Sequence, residues 1–85
     1  MMPPAQVHCD VYKSAEKEDF YLYVDHDAGL DKVPEGLLQQ FGELKIALSF
    51  ILSEKQNLAK EDPKRVLQNL ADHGYHLQLP PAETL

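Results

Sequence analysis

Hydrophobic and polar positions alternate with period two in three stretches of this chain. In residues 6–13, Val7, Cys9 and Val11 alternate with His8, Asp10 and Tyr12, the pattern of a half-buried strand. Residues 20–25 repeat it, with Phe20, Leu22 and Val24 set against Tyr21, Tyr23 and Asp25, and their β-branched and aromatic content favours a strand. The polar connector between the two is long enough for an open hairpin, so an antiparallel pair is expected. A third stretch starts at Gly74, places Tyr75, Leu77 and Leu79 on one side and His76 and Gln78 on the other, and stops at Pro80 and Pro81, which cannot continue a ladder.

Two segments carry helix signals. Residues 34–42 have Pro34 for the first turn, Glu35 at the positive end, Gly42 past the last turn, and Leu37, Leu38 and Phe41 on one face. Gly36 weakens that helix by about 1 kcal/mol relative to alanine, so packing must hold it. Residues 62–74 are clearer, with Asp62 as N-cap, Pro63 at the first position, Gly74 as terminator, and a buried stripe of Val66, Leu67, Leu70 and Ala71. Residues 44–52 are apolar nearly throughout and predict a strand buried on both faces at the centre of the sheet, although Leu44, Ala47, Leu48 and Ile51 also fit a helical period. The polar connector 53–61 holds one apolar anchor, Leu58.

The order is ββαβαβ. It predicts a two-layer α+β domain over residues 6–81: a mainly antiparallel four-stranded sheet with both helices on one face. Residues 1–5 are expected to be a flexible N-terminus and 82–85 a frayed tail. On this arrangement Tyr75, Leu77 and Leu79 face the helices, and the tyrosines of the first two strands face outward with His76 and Gln78.

Composition narrows the function classes. At 85 residues the chain makes one thinly cored domain, and no run approaches the roughly 18 apolar residues of a membrane span. The first ten residues lack the basic and apolar regions of a signal peptide. The lone cysteine, Cys9, forms no internal disulfide, fits a reducing compartment such as the cytoplasm, and reads as a small buried hydrophobe. A net charge of −6 repels polyanions and anionic membranes, which weighs against nucleic acid and membrane partners.

The residues in 20–25, the run from Val33 to Gly42, and the run from Asp62 to Pro81 ending in Gly74–Tyr75 and Leu77–Gln78–Leu79–Pro80–Pro81 together resemble the YcgL family of small bacterial proteins. The resemblance covers nearly the whole chain. It implies a small α+β domain and no established biochemical activity. The chain departs from the family pattern at His76, where a second aromatic is common, and in its short tail after Pro81.

Candidate chemistry is sparse. Tyr12, Tyr21, Tyr23, His8, His76 and Gln78 are expected on the side of the sheet away from the helices. An aromatic and polar face of that kind suits a protein partner, or bases stacking on exposed rings. His8, His76 and Asp10 invite a metal or acid–base idea, but three residues on strands of unknown order do not make a ligand set, and no metal or cofactor is expected. The acidic loop Asp25 to Asp27 lacks the further oxygen ligands of a calcium site. Lys55, Lys60, Lys64 and Arg65 form a small basic cluster offset by Glu54, Glu61 and Asp62, and His73 suits the negative end of its helix. No glycine-rich phosphate loop, paired-cysteine motif or nucleophile elbow is present. The expectation is a non-catalytic, cytoplasmic binding or adaptor module that meets a protein partner through the tyrosine face. The alternative is an RNA-associated accessory factor using the same tyrosines and the basic cluster, and an enzyme centred on His8 and His76 stands third.

Overall fold

The computed structural model describes residues 6–55 and 62–79. Six elements follow in the expected order: β1 (Gln6–Ser14), β2 (Tyr21–Asp25), α1 (Glu35–Phe41), β3 (Leu44–Ser53), α2 (Pro63–His73) and β4 (Tyr75–Gln78). The strands form one sheet in the order β3-β1-β2-β4, with every neighbouring pair antiparallel. The α+β class and the ββαβαβ order are therefore as the pattern predicts. The expected flexible N-terminus, the frayed tail, the stop at Pro80 and Pro81, and the anchor Leu58 all lie outside the described residues.

Local chemistry sets the helix ends. The Asp62 carboxylate accepts from the Lys64 backbone N–H at 3.0 Å, and Pro63 occupies a position where no backbone donor is needed. Gly74 closes α2 in the left-handed conformation, φ 86°, its N–H donating to the Leu70 carbonyl. The shorter α1 has no side-chain cap and depends on Phe41, which is buried. Ser14, itself buried, ties the end of β1 to the end of α1. Its hydroxyl donates to the Phe41 carbonyl at 2.6 Å and accepts from the N–H groups of Glu16 and Lys17.

The layering differs from the expectation. The hairpin register pairs Cys9 with Asp25, Val11 with Tyr23 and Lys13 with Tyr21, so odd-numbered residues of both strands share a face. On that face Cys9, Val11, Tyr23 and Leu52 form a core with Val66, Leu67 and Leu70 of α2. On the opposite face Leu22 and Val24 form a second core with Val33 and Phe41, against which Tyr12, Leu37, Leu38, Tyr75 and Leu77 pack. The helices thus lie on opposite faces, and the architecture is three layers rather than two. The physical reason is parity: shifting a strand by one residue sends every side chain to the other side, and alternation alone does not fix that register. Tyr75 and Leu77 do face a helix, but it is α1, whereas Leu79, expected beside them, lies past the end of β4 and is exposed.

β3 also departs from its expected place. Among the described residues it is an edge strand, paired only with β1, and Ile46, Leu48 and Ile51 are each more than half exposed. Its ladder with β1 shifts register between Val11 and Tyr12, where Leu48 and Ile46 are the successive partners and Ala47 is left over as a bulge. An unbroken apolar run marks a central strand only if helices cover both of its faces. Here α2 covers Phe50 and Leu52, Leu44 packs on the α1 core, and residues 45–49 and Ile51 stay exposed.

Candidate functional site

The six residues expected on one outward face are divided between two inward ones. Tyr21, Tyr23, His76 and Gln78 do share a face, with Tyr23 opposite His76 and Tyr21 opposite Gln78. That face is the one beneath α2. Tyr23 is only 7 % exposed, its hydroxyl donating to Gln78 Oε1 at 2.7 Å and its ring edge-on to His76. His76 is buried as well, its Nδ1 accepting from the Asn69 side-chain amide at 2.8 Å. Tyr21 is half-buried against the same core, and Tyr12 is half-buried against the α1 core on the other side of the sheet. These rings are packing and hydrogen-bonding residues, not a platform for a partner or a base. Of the six, only His8 is exposed.

The basic cluster is only partly described. Lys64 and Arg65 lie in the first turn of α2 and Lys55 in the turn after β3, all exposed, while Lys60 falls outside the described residues. Arg65 lines an open cleft beside α2 and β4 with Asn69, His73, Tyr75, His76 and Leu77.

A polar cluster that sequence reasoning only half found lies at the other end of the sheet. His8 and Asp10 are two apart on β1 and share a face. His26, just after β2, joins them because its N–H donates to the His8 carbonyl at 2.8 Å and extends the hairpin ladder. The His8 and His26 rings stack with centroids 4.0 Å apart and planes within 11°. His26 Nδ1 donates to both Asp10 oxygens at 2.9 and 3.0 Å, and the Ser49 hydroxyl, from β3, donates to Asp10 Oδ1 at 2.7 Å. Since that hydroxyl spends its one proton on the carboxylate, His8 Nε2 must donate to Ser49 Oγ across their 2.9 Å contact. The sequence reading grouped His8 and Asp10 with His76, which lies under α2 instead. The missing signal was the register: pairing Cys9 with Asp25 is what sets His8 across from His26.

Electrostatics follow from the geometry. Burial of Asp10 pushes its carboxyl up, but the hydrogen bonds from Ser49 and His26 and the nearby charges of His26 and His8 outweigh that and hold it below the ordinary carboxylate value. Cys9, fully buried on the opposite face of β1, is pushed up to about 12 by burial, with Asp10 adding to the effect. Such a thiol is not a nucleophile at neutral pH. Nor is Ser49 poised as one, because a serine nucleophile gives its proton to a histidine, whereas this hydroxyl gives it to Asp10 and receives one from His8.

Among the described residues no helix is long and apolar enough to cross a membrane. The YcgL domain matches residues 9–81. A YcgL domain-containing protein of Stutzerimonas stutzeri (strain A1501) is 49 % identical over 75 residues, covering 88 % of this chain and 77 % of the relative. One from Pseudomonas putida (strain GB-1) is 52 % identical, and one from Azotobacter vinelandii (strain DJ) 47 %, both over the same shares. These names give a domain alone, so a reading of function rests on the geometry of this chain.

Proposed function

This chain belongs to the YcgL family, and we propose that it is a non-catalytic binding module which takes an extended segment of a partner protein onto the β3 edge. The observation that carries this reading is a ten-residue edge strand with Ile46, Leu48 and Ile51 each more than half exposed. An edge offers a row of backbone donors and acceptors, and proteins that do not use one blunt it with charge, proline, bulges or short length. β3 has such devices only in its first half, Lys45 and the bulge at Ala47, and runs regularly from Leu48 to Ser53. Strand addition along that half gives the partner main-chain hydrogen bonds for affinity and apolar neighbours on both faces for specificity: Leu48 lies on the Val11 side and Ile51 on the His8 side. The net charge of −6 favours a partner of positive charge. The buried tyrosines give no support to base stacking, so the partner is protein. The lone buried thiol is in keeping with the cytoplasm.

The test compares proteins captured from cell lysate by the parent chain and by a Leu48→Lys, Ile51→Lys variant whose fold is verified by circular dichroism. A protein captured by the parent, lost by the edge variant and kept by an Arg65→Ala control supports the reading. In the purified complex the β3 amides then gain protection from hydrogen exchange. An edge variant that captures the same proteins as the parent, or β3 amides that exchange as fast in the complex as alone, refutes it.

A further inference from the structure

We propose that His8, Asp10 and His26 form a binding site for a divalent zinc-type cation, with Ser49 positioning the carboxylate. One ring nitrogen from each histidine and one Asp10 oxygen all lie within 4.8 Å of one another. Bound zinc holds nitrogen and oxygen donors at roughly 2.0–2.2 Å, which sets tetrahedral neighbours roughly 3.3 Å apart. Rotation of two side chains closes that gap, and both histidines are exposed and able to rotate. Asp10 cannot move as freely. Its side chain is 7 % exposed and it is anchored by Ser49, so it is the fixed point about which the rings close.

The donor chemistry selects the ion. Two imidazoles and one carboxylate suit zinc and its first-row neighbours, whereas calcium and magnesium require an oxygen cage. The ion replaces the hydrogens that the two rings turn into the cluster, and each ring keeps its proton on its other nitrogen. A ligating carboxylate with its own hydrogen-bond donor is the arrangement that orients metal ligands elsewhere, and the Ser49 hydroxyl already makes that bond. Three protein donors leave at least one coordination position to water. Parallel rings cannot both hold an ion in their planes, so binding must fan the His8–His26 stack apart. None of this depends on the β3 edge accepting a partner.

The experiment is titration of the untagged full-length chain with Zn²⁺ by calorimetry, together with Co²⁺ as a visible-absorption probe and NMR of the histidine rings. The expected result is one ion per chain, cobalt bands of low coordination number, and selective shifts of the His8 and His26 ring signals. His8→Gln and His26→Gln, each verified as folded by circular dichroism, weaken zinc binding by about tenfold or more, while Ser49→Ala weakens it by about tenfold. His73→Gln leaves it unchanged. Absence of saturable uptake at millimolar zinc, or stoichiometric uptake that survives both His8→Gln and His26→Gln, overturns the proposal.

Discussion

Asp10 shows how much one residue can hold when its neighbours are chosen for it. A carboxylate on a face that also carries Leu22 and Val24 would be destabilising alone, and it persists because Ser49 and His26 both donate to it. Its depressed pKa fixes the sign of a pH effect. As acid is added, the unfolded chain takes up its proton near pH 3.9 while the folded chain stays ionised, so the stabilisation present at neutral pH is lost as pH falls from there through the lower folded value. Asp10→Asn is expected to reduce stability at pH 7 by about 1–3 kcal/mol and to flatten the acid limb, as read from urea midpoints at several pH values. The charge of this residue was legible in the sequence, but its burial was not. Burial at position 10 depends on His26 beyond β2 and Ser49 of β3 closing on the carboxylate, and no local pattern in residues 6–13 says so.

Among the elements, α2 was the most legible and β3 the least. Asp62, Pro63, the Val66–Leu67–Leu70 stripe and Gly74 each carry a signal that needs no knowledge of the rest of the fold and behave as their chemistry dictates, whereas Ala71, expected in the same stripe, is exposed. Removing either end is expected to register. Asp62→Ala costs about 1 kcal/mol, the worth of an N-cap hydrogen bond. Gly74→Ala costs more, because φ is positive there and the new methyl would stand 2.6 Å from Cβ of Lys32. Thermal melts of the two variants should rank in that order below the parent. For β3 the sequence shows an apolar run and nothing about its neighbours. The same residues serve a central strand in one strand order and an exposed edge in another.

At the scale of the whole molecule, the sheet is shared by two cores. Leu22 is fully buried on the α1 side and Leu67 nearly so on the α2 side. Each truncation to alanine is expected to cost about 2–5 kcal/mol, out of a total of roughly 4–13 kcal/mol for a chain this size. Because β1 and β2 contribute to both cores, neither can melt alone. Each variant should therefore unfold in a single transition, with amides of α1 and α2 losing exchange protection together, and two separate transitions would contradict the shared-sheet architecture. The element order was readable from the chain, since helix and strand signals are local. The third layer was not, since it turns on hairpin parity, and parity also decided the fate of the tyrosines.

The placement of β4 beside β2 has a consequence for synthesis. The hairpin of β1 and β2 leaves the ribosome early, and β3 can join it from the β1 side. The β2 flank stays bare until the last strand emerges, some fifty residues later in the chain. A nascent chain stopped anywhere before Tyr75 therefore presents the β2 flank itself, and completion of translation exchanges it for the edge of β4, a strand of only four residues.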